Sequence, residues 1–336
     1  MSVNVVQCRR SDGKRIAAIV DYTRLRVVGG YSTLYEIVQD AIHAAKPLEE
    51  VLRSWVSDDW LDYNAVYSGE SEWTLLPPVD HTFDNGRCLI SGTGLSHRKS
   101  ADNRHAMHAS SAGDSALTDS MRMYQAGVEG GRPAPGEIGA PSEWFWKGDG
   151  RILCGHGAPL TVPNYAEDGG DEAEIAGIYI IGKGGAVYRI GLAAANEFSD
   201  HLMESRSYLC LAPSKLRQCS LGPEIVIGGV FDDVSGEAAV VRSGTVVWSQ
   251  EIKTGEANMV HSLANLEHHH FKYDQHRRVG DVHVHCFGTP GFSFGSGIRL
   301  QDGDVMSVRF DGFGRGLSNP IQFDRSPQQP VQVHTL

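Results

Sequence analysis

All but four of the 39 glycines (Gly13, Gly29, Gly30 and Gly69 are the exceptions) lie beyond the punctuation Leu75-Leu76-Pro77-Pro78. Consecutive prolines remove backbone donors and restrict the residue before them, so regular structure is expected to break here. Past this point the apolar runs are short: 88–90, 175–181, 186–192, 224–230 and 245–248, each bounded by Gly, Asp or Ser. Runs of this length between turn residues read as strands. A β-rich body is expected, with 103–125 as its main helical exception. Gly182-Lys183-Gly184-Gly185 lacks the Gly-Lys-Ser/Thr ending of a phosphate loop and reads as a hairpin turn.

Ahead of the prolines the period changes. Residues 1–30 read as short strands broken by Ser11-Asp12-Gly13-Lys14 and Gly29-Gly30. Thr33 and Glu36 form a capping-box pattern, and Leu34, Ile37, Val38, Ala41, Ile42 and Ala45 keep helical spacing towards Pro47. A second helix from Pro47 carries Leu48, Val51, Leu52 and Trp55 on one face. The reading is a small N-terminal α/β domain (1–78), a larger domain (79–322) and a Gln- and Pro-rich tail (323–336).

Composition excludes some function classes. Lys and Arg number 30 against 41 Asp and Glu, a formal charge of −11. Binding a polyanion needs clustered cations, and Arg9-Arg10, Arg98-Lys99 and Arg277-Arg278 are only doublets, so no nucleic-acid partner is expected. Six scattered cysteines without a Cys-x-x-Cys pair read as free thiols in a reducing compartment. The N-terminus has no basic start and apolar block, and no run of about 18 apolar residues exists. A soluble cytoplasmic protein with no membrane partner is expected.

The most informative local feature is Asp171-Glu172-Ala173-Glu174 entering an apolar run. On a strand the two glutamates share a face, about 7 Å apart. They repel unless a hard divalent cation neutralises them, Mg²⁺ or Mn²⁺ in preference to zinc because no thiolate or imidazole adjoins; the alternative is a solvated strand edge. Histidine is the second resource. His268-His269-His270 and the same-face pair His283 and His285 are compatible with zinc, with packing and hydrogen bonding, or with substrate contact. The 127–136 segment, containing Arg132, reads as a lid whose arginine reaches a substrate carboxylate, or as a plain surface loop. Ser199 and Ser262 lack a nucleophile-elbow context.

Beyond the glutamate pair come Asn196-Glu197-Phe198-Ser199-Asp200, Lys215, Leu221-Gly222-Pro223, Gly280-Asp281-Val282, Gly288-Thr289-Pro290, Gly303-Asp304-Val305 and Gly312-Phe313-Gly314. Ahead of it stands a stretch from Pro141 to Lys147 with Trp144-Phe145-Trp146. This succession resembles the fumarylacetoacetate hydrolase family over residues 86–320. The resemblance implies an α+β, β-rich fold, the family's mixed β-roll behind the small N-terminal α/β domain, and a homodimer. It implies Mg²⁺ (or Mn²⁺) on Glu172, Glu174 and Glu197, the last one methylene longer than the family's aspartate. It implies that Lys215 and Thr289 bind a small-molecule 2-keto acid substrate. His201 stands where the family has arginine and Glu204 where it has glutamine. His97 falls in the family's His-x-x-Glu lid but has no glutamate three residues on.

That departure, the insertion at 107–132 and the 196–201 block resemble the family's 2-keto-3-deoxy-sugar-acid dehydratase branch. The implied reaction dehydrates 2-keto-3-deoxypentonates to 2-oxoglutarate semialdehyde: metal polarisation acidifies C3 and stabilises the enolate, and a general acid releases the C4 hydroxyl. Catalytic candidates are Lys215, Thr289, Glu204 and His97; substrate-binding candidates are Lys215, Thr289, His201 and Arg132. Hydrolysis of 2,4-diketo-3-deoxy acids is the alternative. A catalytically idle metal-binding protein on the same fold is a second, and a His-rich zinc scaffold a third.

Overall fold

The structure, a computed structural model, describes residues 2–108 and 117–336. Thr33 caps the helix Leu34–Ala44 as its spacing predicts. Its hydroxyl accepts from the Glu36 amide at 3.3 Å, and the Glu36 carboxylate accepts from the Thr33 amide at 3.1 Å. The helix Leu48–Ser54 follows Pro47.

Two sheets organise the chain. Across the larger run Val56–Asp62, Arg24–Val28, Arg15–Asp21, Val3–Arg10, Cys219–Ile227, Val187–Asn196, Ala173–Ile181, Val282–Cys286, Cys88–Gly92 and Phe145–Asp149, with Trp73–Leu75 and Leu153–Cys154 pairing off this path. The smaller consists of Thr245–Thr254, Val234–Arg242, Val305–Phe310, Leu317–Phe323 and Leu160–Val162. Val3–Arg10 lies antiparallel to Cys219–Ile227, with Val3 opposite Ile227, so the sheet passes from the N-terminal strands into the body despite the prolines between them in sequence.

Ala173–Ile181, Cys219–Ile227 and Val282–Cys286 are buried at every residue because both faces of the sheet are covered. On one side Ile178 and Ile225 pack with Leu34, Ile37 and Val38 of the capped helix. On the other, Ile175, Leu192 and Val226 meet Ala238, Val308 and Phe310 of the smaller sheet. This two-sided burial is why 175–181 reads as a continuous apolar run.

The 182–185 segment forms the expected turn between Ala173–Ile181 and Val187–Asn196. The helical stretch around 103–125 is two helices, Arg98–His108 and Asp119–Gly130. The second corrects the 127–136 loop, whose first four residues are helical. Part of the 107–132 insertion, residues 109–116, lies outside the described residues. After Phe323 the described chain is exposed and has no regular structure. All six cysteines are free, and no described helix is long and apolar enough to cross a membrane.

Buried Glu224 ties the N-terminal residues to the body. It accepts from Asn4 Nδ2 at 2.7 Å, the Tyr63 hydroxyl at 2.8 Å and the Arg315 amide at 3.0 Å. Gly314 permits this approach: its φ is +75°, and a Cβ there would lie 2.1 Å from Glu224 Oε2. Gly314→Ala is therefore expected to destabilise the fold by about 2 kcal/mol through overpacking and backbone strain. Urea unfolding checks this, and a change below about 0.5 kcal/mol, the level of an ordinary surface substitution, would contradict it.

Candidate metal centre and active site

The pairing of Ala173 with Asn196 brings Glu172 and Glu174, at the start of one strand, to Glu197, at the end of its neighbour. The Glu197 amide donates to the Glu172 carbonyl at 2.9 Å, and Asn196 Oδ1 accepts from the Glu172 amide at 3.0 Å. One carboxylate oxygen from each glutamate lies within 4.8 Å of the others. Their exposures are 6%, 1% and 0%, which overturns the solvated-edge reading.

Buried cations partly offset this charge. Lys147 Nζ is 2.6 Å from Glu197 Oε1, while Lys215 Nζ is 2.9 Å from Glu197 Oε2 and 2.6 Å from Glu172 Oε1. His201 Nε2 adds a 2.8 Å hydrogen bond to Glu172 Oε1, and Phe292 and Phe294 pack on its ring at 4.8 and 5.1 Å. Burial pushes Glu172 up, but Lys215 and His201 win and hold it well below the usual carboxylate range. Burial lowers the His201 value, and Glu172 more than restores it. Burial takes Glu197 up to about 7 against the pull of both lysines.

Glu174 is the least compensated. The Gly288 amide donates to its Oε2 at 2.7 Å, and burial with the adjacent Glu197 and Glu172 charges drives its pKa well above normal. A buried carboxylate raised by its own neighbours, in a cluster offering only hard oxygen donors, fits a Mg²⁺-type cation.

A narrow cavity adjoins the cluster, lined by Glu172, Glu174, Lys215, Thr289, Phe292, Glu204, Arg104, Ser100 and the 93–95 turn. The structure thus brings together Glu172, Glu174, Glu197, Lys215, Thr289, His201 and Glu204. The Thr289 hydroxyl is 3.1 Å from the Ala173 carbonyl and 2.7 Å from that of Gly291. Glu204 pairs with Arg104 Nε at 2.5 Å, and Arg104 also reaches Glu143 at 3.2 Å. Burial raises the Glu143 pKa against the pull of Arg104.

Arg104, Glu143 and Lys147 were not among the sequence candidates. Glu143 and Lys147 stand inside the quoted stretch from Pro141 to Lys147, which was a usable signal. Arg104 gives none, since it sits on a helix whose polar and apolar residues are barely segregated.

Two candidates fall elsewhere. His97 is buried between Ser96 Oγ at 3.0 Å and Thr254 Oγ1 at 3.1 Å, and burial lowers it to about 3. Both ring nitrogens are engaged away from the cavity lining. Arg132 is spent on the Met259 carbonyl, at 2.8 Å from its Nη2, because the helix before it docks there instead of leaving a free loop.

The histidine groups also resolve. Trp144 Nε1 donates to His270 Nδ1 at 3.1 Å, so His270 Nε2 carries the proton that goes to His283 Nδ1 at 2.9 Å. His285 bridges Ser91 and Thr93 hydroxyls at 2.9 and 3.0 Å. These rings are packed and hydrogen-bonded. Among the described residues, Glu172, Glu174 and Glu197 form the one group close enough to hold a metal, which corrects the zinc-scaffold reading.

Comparison with solved structures places the fold. The chain matches 2-keto-3-deoxy-D-arabinonate dehydratase complexed with magnesium and 2,5-dioxopentanoate at 18% identity and TM-score 0.69, covering 96% of this chain and 100% of that one. At the same coverages it matches 2-hydroxyhepta-2,4-diene-1,7-dioate isomerase from Mycobacterium marinum at 14% identity and TM-score 0.57. The corresponding values for 5-carboxymethyl-2-hydroxymuconate delta-isomerase from Mycobacterium smegmatis are 15% and 0.55. A search of curated protein sequences finds no match. The family model for the fumarylacetoacetate (FAA) hydrolase C-terminal region matches residues 114–321, more than half of the chain, and the protein belongs to this family.

Proposed function

We propose that the protein is a Mg²⁺-dependent dehydratase that converts 2-keto-3-deoxypentonates to 2,5-dioxopentanoate, the semialdehyde of 2-oxoglutarate. The observation that carries this choice is the make-up of the cavity. Among its described lining residues there is no histidine, and His97 is committed elsewhere, so the described residues there offer no histidine–glutamate pair to activate water for C–C hydrolysis. The dehydratase named above, with magnesium and 2,5-dioxopentanoate, supports the same reading by analogy of fold.

Glu172, Glu174 and Glu197 would hold the cation, which when bound supplies Lewis-acid polarisation of the substrate's 1-carboxylate and 2-keto oxygens. Lys147 holds Glu197 Oε1 from behind and also donates to the carbonyls of Phe198 at 2.5 Å and Lys215 at 3.0 Å, so both sides of the site are anchored through one ammonium. Thr289 orients the carboxylate end. The Lys215 ammonium faces the enolate charge that develops at C2 and C3, and the proton taken from C3 is returned to the departing C4 hydroxyl, which leaves as water. A later proton shift from C5 to C3 and ketonisation give the aldehyde. A cytoplasmic homodimer completes the proposal; sedimentation should give twice the 36.6 kDa chain mass.

Metal-stripped protein supplied with Mg²⁺ and synthetic 2-keto-3-deoxypentonates should release 2,5-dioxopentanoate, detectable by oxidation of the aldehyde. No turnover with any 2-keto-3-deoxy acid while Mg²⁺ still binds would sink the proposal. Glu174→Gln should lower activity at least a hundredfold and remove Mg²⁺-dependent thermal stabilisation; retention of both would show the ligand assignment wrong.

The raised carboxylates give a pH sign. They must be deprotonated to take a cation, so protons compete more strongly as pH falls. With Glu197 at about 7, one competing proton weakens Mg²⁺ binding about tenfold between pH 8 and pH 6. Calorimetry at the two pH values checks this, and equal affinities would contradict it.

A further inference from the structure

Beyond the metal cluster the cavity ends in charges that the proposed chemistry does not fully use. Lys215 Nζ stands 3.7 Å from Glu204 Oε2, Glu204 Oε1 pairs with Arg104 Nε at 2.5 Å, and Arg104 Nη1 reaches Glu143 Oε1 at 3.2 Å. Glu172, Lys215, Glu204 and Arg104 therefore form a chain of charges along the cavity lining, and Glu143 backs Arg104 from outside it.

Glu204 Oε2 is buried without a hydrogen-bond partner, and the residue is only 2% exposed. The turn at Gly94 leaves Glu143 its place: a Cβ on Gly94 would lie 1.6 Å from Glu143 Oε2. Buried polar atoms are nearly always satisfied, so an unsatisfied acceptor on the cavity wall, Glu204 Oε2, is a position for a donor that arrives from outside. Arg104 is the one cation among these three groups, and two carboxylates already engage it. This end can accept hydrogen bonds and offers no free positive charge.

We propose that Glu204, set by Arg104, is a specificity-determining residue that selects 2-keto acids with an uncharged, hydroxylated tail and rejects those ending in a second carboxylate. This rests on the reading that the glutamate cluster, with its cation, holds the 2-keto acid head. From that anchor a five-carbon chain places its terminal group towards Glu204. A terminal hydroxyl donates to Glu204 Oε2. A terminal carboxylate has no proton to give and meets a like charge in a buried site, which costs affinity.

The test compares two five-carbon ligands that differ only at that end. Binding of 5-hydroxy-2-oxopentanoate, 2-oxoglutarate and pyruvate to the Mg²⁺-loaded protein is measured by calorimetry. The expected result is at least tenfold tighter binding of the hydroxy acid than of 2-oxoglutarate, with Glu204→Gln shrinking that ratio at least fivefold while pyruvate affinity holds within twofold. Equal or tighter 2-oxoglutarate binding by the native protein overturns the inference, whether or not the variant folds. An unchanged ratio in a folded Glu204→Gln protein overturns it as well. If none of the three ligands binds, pyruvate included, the 2-keto acid reading fails first and takes this inference with it.

Discussion

The site depends on one fully buried carboxylate held between two buried ammonium groups. Glu197 has Lys147 on one oxygen and Lys215 on the other, and each partner comes from a different part of the chain. Lys147 belongs to the strand Phe145–Asp149 at the edge of the larger sheet, Lys215 follows the short helix Leu211–Ser214, and Glu197 follows Val187–Asn196. Taking these ions out of water costs several kcal/mol each, and losing one partner of such a pair costs about 3–5 kcal/mol. Each of the three elements must therefore be in place for the other two to tolerate their charges. Lys147 strengthens this dependence, since Glu197 and the carbonyls of Phe198 and Lys215 use all three of its donors.

The arrangement is poorly explained as a device for stability. Five buried glutamates, 143, 172, 174, 197 and 204, face three fixed cations, Arg104, Lys147 and Lys215. Even with His201 charged, at least one negative charge is left over. Apolar residues of similar volume would be as stable or more so. The surplus is concentrated at Glu174, whose one hydrogen-bond donor among the described residues is the Gly288 amide. Outside the set, Asp200 pairs with Arg217 at 2.8 Å, and Asp171 accepts a hydrogen bond from the Ser293 hydroxyl.

What was legible in the sequence follows from range. The Thr33 capping box and the glutamate pair are local: spacing alone sets which side chains meet, and both are found as read. The succession of short motifs was enough to assign the family. Arg104 and Glu204 are a hundred residues apart, and their pairing depends on the helices Arg98–His108 and His201–Arg206 docking together. No periodicity encodes that docking. His97 and Arg132 lie away from the cavity lining for a related reason. Placing a residue in the right loop does not say which way its side chain turns, and both found partners in the 254–259 region that sequence position could not reveal.

The neutral histidines show how a polar scaffold can surround a charge-critical site without disturbing it. Burial and neighbouring rings hold His270 far below its ordinary value and lower His283 and His285 to about 3. His285 joins Ser91 to Thr93, and Thr93 begins the turn that lines the cavity together with Glu172 and Glu174. Charged side chains could make contacts of similar strength, but each would add or cancel charge beside a cluster whose residual negativity is what attracts a cation. Neutral imidazoles, with one donor and one acceptor each, supply directional hydrogen bonds at no cost to that balance. The strand Val282–Cys286 accordingly presents His283 and His285 on one face to the His270 ring and the Ser91–Thr93 turn, while the chain continues through Gly288 to the only hydrogen-bond donor of Glu174 among the described residues.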